Sequence, residues 1–168
     1  MREGLIALHA ASREETVTGS VAAWQQAGRL YVWRYSAPSR SRKGWHFTAD
    51  PAGCNSVIDL IARMVGEAAP CHRTLRLHAI TPAIWGVPNF GPPKRDRLEK
   101  LRLQYDPAEV ALSLSEIDER LTLRLGEKQS SSLSAAFADV SVGLGDFGIA
   151  TSDEKRPEVW MFWWMPQR

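Results

Sequence analysis

"EVWMFWWMP" (158–166) places three tryptophans, one phenylalanine and two methionines in six consecutive positions. Read as a β-strand, its side chains alternate between two faces. Trp160, Phe162 and Trp164 then share one face, and Val159, Met161, Trp163 and Met165 share the other. Both faces are large and apolar. A sheet with helices on one side needs only one apolar face per strand. The second face here also requires a cover, because an exposed stripe of this size would be adhesive. The sequence offers two candidates for that cover, the apolar segment 80–93 and a second copy of the chain.

Outward from this strand, "FGIATS" and the polar loop "DEKRP" precede it and predict a closing hairpin. Before them "SSLSAAFADVSVGL" predicts a helix that buries Leu133, Ala136, Phe137 and Val140, with "QSSSLS" as its capping run and "GLGDFG" as its stop. A stronger helix lies in "TADPAGCNSVIDLIARMVGE". Asp50 suits the N-cap and Pro51 the first helical position, where its missing N–H costs nothing. Val57, Ile58, Leu60, Ile61, Met64 and Val65 form one stripe, and Gly66 can end it.

The remaining segments predict strands. "LYVWRYS" (30–36) is aromatic and β-branched, with "VAAWQQ" before it as a hairpin partner or a helix. "CHRTLRLHAI" alternates Leu75, Leu77 and Ala79 against His72, Thr74, Arg76 and His78. "LRLQYDPAEVALSLSEIDERLTLRLG" reads as a three-strand meander with a turn at Asp106-Pro107. The element order lacks the regular alternation of a parallel α/β fold. It predicts a single α+β domain over 1–168, in two layers, with a mostly antiparallel sheet and two helices on one face. Each half runs strand–strand–helix–strand, so a pseudo-duplicated arrangement is admissible.

The composition, 44% apolar and 24% charged, is that of a folded globular chain. A net charge of +2 is too small to imply a polyanionic partner by itself. No stretch approaches a membrane span, and the apolar run near the start is shorter than a signal-peptide core. Two cysteines, Cys54 and Cys71, form no CxxC, which signals neither a disulfide framework nor a closed zinc site. The expected compartment is cytoplasmic, and the alanine and arginine content points to a GC-rich bacterial source.

The catalytic constellations fail on spacing. On one strand His72 and His78 lie roughly 20 Å apart at about 3.3 Å per residue, too far to share an ion. Cys54 on a first helical turn, with His46 upstream, is the best nucleophile candidate, since a helix N-terminus lowers a thiol pKa. A small buried cysteine is the commoner outcome. Gly143, Gly145 and Gly148 resemble part of GxGxxG, but they follow a helix and open a strand, the reverse of a dinucleotide site. "EIDE" (116–119) reads as a solvated bend. No catalytic residue, cofactor or metal site is therefore expected, and the chain leans away from being an enzyme.

Charge layout is more informative. Four cations and no acid lie between Arg34 and Lys43, interleaved with Trp33, Tyr35, Trp45, His46 and Phe47. Segment 94–102 is rich in cations, whereas 106–119 carries five acids and no base. Arg76, Arg102, Arg120 and Arg124 occupy polar strand positions and would form one cationic face if their strands are neighbours. Segment 80–93, "ITPAIWGVPNFGPP", is long, apolar and stiffened by prolines, as a strap over the sheet or a binding loop would be.

These features predict a non-enzymatic binding or assembly module that recognises a protein partner, or itself as a homodimer, through aromatic surfaces. Its candidate contacts are Trp45, His46, Trp85, Asn89, Phe90, Trp160, Trp163 and Trp164. The alternative is a small-molecule pocket, in a ligand-binding domain or small enzyme, under 80–93. A third class is single-stranded nucleic acid or another anion on a basic–aromatic face, with Arg40, Arg42 and Lys43 as anion contacts. No membrane partner is expected.

Overall fold

The computed structural model describes residues 19–36, 43–94 and 96–166. In chain order the elements are β1 (Leu30–Trp33), β2 (His46–Ala49), α1 (Pro51–Glu67), β3 (Cys71–Arg76), the short α2 (Pro82–Trp85), β4 (Lys100–Tyr105), β5 (Ser113–Ile117), β6 (Arg120–Leu125), α3 (Glu127–Ser141), β7 (Phe147–Ala150) and β8 (Val159–Phe162). They form an α+β fold with two four-stranded mixed sheets. Sheet I runs β1-β2-β8-β7 and sheet II runs β3-β4-β6-β5.

Both long helices follow from local chemistry. The Asp50 side chain accepts the Gly53 N–H at 2.7 Å, and Pro51 opens α1. Val57, Leu60, Ile61 and Met64 are buried along its stripe. The helix continues past Gly66 and caps at Ala68, which takes a left-handed φ of 53°. Pro70 accounts for that stop, because it disfavours helical backbone in the residue before it. α3 begins before the serine run, with Gly126 as its N-cap and no side-chain capping bond. A Cβ on Gly126 would lie 2.0 Å from the Glu109 carbonyl oxygen, so only glycine fits this crossing. The four residues predicted to be buried on α3 are all buried.

The strands depart from the expected meander. β4 pairs with β6 in parallel, and β5 pairs with β6 antiparallel. The Asp106-Pro107 turn exists, closed by the Glu109 N–H to the Asp106 carbonyl at 3.0 Å, but it carries the chain past β4's neighbour. Alternation assigns faces and leaves the choice of neighbour open, which is why the pattern suggested the wrong pairing. "VAAWQQ" is a turn and an extended stretch with no strand.

The topology repeats. β1-β2-α1-β3-β4 and β5-β6-α3-β7-β8 trace the same path, each starting with an antiparallel pair in one sheet and ending with an antiparallel pair in the other. The middle of each sheet is then a parallel pair made between the halves, β2 with β8 and β4 with β6. α1 and α3 pack against each other. One continuous core joins them to the inner faces of both sheets, with Phe47, Trp160 and Phe162 from sheet I and Leu101, Leu103 and Leu121 from sheet II.

The halves differ at one connection. The chain between β3 and β4 occupies 77–99 and includes α2, whereas between β7 and β8 it occupies only 151–158.

Candidate functional site

The longer connection decides the outer face of sheet I. Tyr31, Trp33, Tyr35 and Trp163 are buried there with Ile84 of α2, and Ile80, Trp85, Val87 and Phe90 pack against them. His46 is at the centre and 0% exposed. It stacks between Trp163 and Trp33, with ring centroids at 6.1 and 5.7 Å, and meets Tyr35 and Phe90 edge-on. Trp163 Nε1–H donates to His46 Nδ1 at 3.0 Å, which leaves the imidazole proton on Nε2. The Tyr35 hydroxyl donates to the Trp85 carbonyl at 2.9 Å and ties the strap to the sheet. Segment 80–93 thus covers the second face of the closing strand.

Among the sequence-predicted contacts, His46, Trp85, Phe90 and Trp163 thus come together, mostly as packing. Asn89 is exposed on the strap at a left-handed φ of 56°. Trp160 faces the opposite way, into the main core, as does Trp45, whose ring carries the Arg34 guanidinium at 4.8 Å. Trp164 is 42% exposed beyond the end of β8. Lys43 is exposed, while Arg40 and Arg42 lie outside the described residues.

Sheet II has a different outer face. The strand registers place its side chains in three rows, Arg76–Lys100–Arg120–Ile117, Thr74–Arg102–Thr122–Ser115 and His72–Gln104–Arg124–Ser113. The face holds five Lys or Arg residues, one histidine and no acid. Arg76, Lys100, Arg120 and Arg124 are exposed, and Arg102 is half-buried at the centre. Among the described residues none of the five is in an ion pair, and the Arg102 Nε is buried without a hydrogen-bond partner. Threonines 74 and 122 flank Arg102 across the strands. The four arginines were legible in the sequence as polar-face positions. His72 was legible in the same way, on the face of Arg76, whereas Lys100 joined them only through the pairing of β4 with both β3 and β6.

The nucleophile candidate separates. Cys54 is buried, and its thiol contacts the Ala49 carbonyl at 3.6 Å on the inner side of β2, while His46 belongs to the outer side. Burial, reinforced by the Asp50 charge, pushes the Cys54 thiol up to about 12, opposite to the lowering expected of a helix N-terminus. Among the described residues no group of three His, Cys, Asp or Glu side chains is placed to hold a metal ion. Nor is any described helix long and apolar enough to cross a membrane. No family model matches the chain, and no curated protein or solved structure resembles it at a significant level.

Proposed function

We propose that the chain is a non-enzymatic binding module that docks an acidic segment of a protein partner on the outer face of sheet II. The observation that carries this reading is the cationic grid itself, five Lys or Arg side chains with no acid among them and none in an ion pair among the described residues. Clustered like charges destabilise a free surface, and an acidic partner relieves that repulsion. Arginine adds bidentate geometry toward carboxylates, and the three rows give the face an extended contact area.

Two competing occupants have less support. Single-stranded nucleic acid binds through phosphate contacts plus aromatic stacking. The aromatics interleaved with cations in the sequence, Trp33, Tyr35, Trp45, His46 and Phe47, are all buried, and the grid itself carries no Trp, Tyr or Phe. A homodimer through this face would set cation against cation. The remaining basis for self-association is the exposed Trp164 with Val142 and Leu144.

The test is fluorescence anisotropy with a labelled Glu/Asp-rich dodecapeptide and, in parallel, a labelled single-stranded dodecanucleotide. The peptide is expected to bind more tightly than the oligonucleotide, and Arg102→Glu with Arg124→Glu should weaken it by at least tenfold. Binding of the oligonucleotide alone would transfer the face to nucleic acid. Peptide affinity unchanged by the double reversal would refute the assignment.

A further inference from the structure

A second site lies beside the strap. β1 is an outer strand of sheet I, and its free edge is bridged at both ends by the β3–β4 connection. The His78 N–H donates to the Leu30 carbonyl at 2.8 Å, and the Lys94 N–H donates to the Arg34 carbonyl at 2.8 Å. Leu30, Val32 and Arg34 share this edge by alternation, so Val32 lies between the two bridges. The strap bows away from β1 there and rejoins it at the Tyr35–Pro93 bridge. The gap is a cleft of about 780 Å³, within the usual size of small-molecule sites.

Its lining combines a flat apolar wall with unanswered polar groups. Trp33, Ile80, Trp85, Pro92, Pro93 and Leu98 line it. Trp33 is 1% exposed, and its Nε1 is buried with no hydrogen-bond partner. His78 also lines the cleft, and its Nδ1 is likewise buried and unpartnered. An indole N–H can only donate, so it needs an acceptor that the described chain does not supply. A buried donor left unmet is costly, and native proteins keep few of them.

The charges around the cleft indicate the kind of acceptor. Arg34, Lys94 and Arg97 line it against Asp96 and Glu99. Arg34 is held by Asp96 at 2.9 Å and by Glu116, and Lys94 stands 4.0 Å from Asp96. Arg97 is in no ion pair among the described residues and is exposed. We infer that this cleft is a binding site for a small planar carboxylate, its ring against Trp85 and Ile80 and its acceptor oxygen on Trp33 Nε1, with Arg97 supplying the countercharge. The site is separate from the face of sheet II and does not depend on it.

The experiment is a titration of the indole N–H resonances of the whole chain with 2-naphthoate and, separately, with the uncharged 2-naphthamide. The Trp33 resonance is expected to shift downfield with 2-naphthoate, and binding should be at least fivefold weaker for the amide. Trp33→Phe keeps an aromatic wall but removes the donor, and should weaken naphthoate binding about tenfold. Ile80→Trp fills the cleft without touching Trp33 and should abolish binding while circular dichroism stays native. Arg97→Ala should remove the preference for the acid over the amide. Absence of any Trp33 shift at millimolar naphthoate, or full binding by Ile80→Trp, would overturn the assignment. Acidic-peptide binding to sheet II should be the same in Ile80→Trp as in the parent, so the failure of either site can be recognised independently.

Discussion

Sheets I and II have the same strand order and polarity, and each feeds one of the two packed helices, yet their outer faces are opposites. In the central parallel pair of sheet I, His46 lies beside Met161 under the strap. In the central pair of sheet II, half-buried Arg102 lies beside buried Thr122, with Arg76, Lys100, Arg120 and Arg124 exposed around them and, among the described residues, no strap above. The cause is one connection. By the topological repeat, 77–99 and 151–158 are equivalent links, and only the first is long enough to carry a helix and an apolar strap. Strand composition follows the cover: aromatic residues where a strap excludes water, arginine and threonine where none does. A topologically repeated framework thus holds one face closed by a strap and, among the described residues, one face without a strap.

The sharpest way to break this comparison is to truncate equivalent layers. Trp163→Ala removes a buried ring and the donor to His46, and should cost about 3–5 kcal/mol in urea unfolding. Arg102→Ala should change stability by no more than about 0.5 kcal/mol, since it removes a charge from a face of like charges. Equal losses from the two would mean that sheet II is as closed as sheet I.

A smaller effect distinguishes the two helix starts. Asp50 caps α1 and accepts the Arg29 N–H at 2.8 Å, whereas α3 is capped by Gly126 with no side chain. Partial burial raises the Asp50 pKa, but the N–H bonds from Arg29 and Gly53 and the Arg29 guanidinium outweigh it and hold it below its ordinary value. The folded pKa is therefore the lower one. Its contribution is present above the unfolded value of about 4 and fades as the pH falls from there through the folded pKa. Asp50→Ala should cost about 1 kcal/mol at neutral pH. Asp50→Asn should keep the cap while flattening the acid limb of the stability–pH curve, and an unchanged acid limb would show that other carboxylates dominate it.

The smallest expected effect is that of Trp164→Ala. Exposed beyond β8, it should alter stability by less than about 0.5 kcal/mol and leave the light-scattering mass unchanged. A drop in mass would instead make this residue an interface between copies.

Much of the fold was legible from local pattern. The α1 cap and stripe and the buried side of α3 depend on neighbours within a few residues, and the closing hairpin joins segments consecutive in the chain. The parallel β4–β6 pairing was not legible, because two alternating strands have the same pattern whichever neighbour they take. The sites divide in the same way. Arg76, Arg102, Arg120 and Arg124 could be assigned to polar faces, but only strand order put them in one grid. Trp33 and His78 gave no sign of a cleft, since an unmet indole N–H becomes visible only when its surroundings are known.

The sequence by itself therefore determined that the closing strand had two apolar faces needing cover, because β-alternation is a property of the backbone. Only the tertiary structure decided that segment 80–93 covers the outer one. That choice depends on where β3 and β4 lie relative to sheet I, which is a matter of long-range packing that no local spacing encodes.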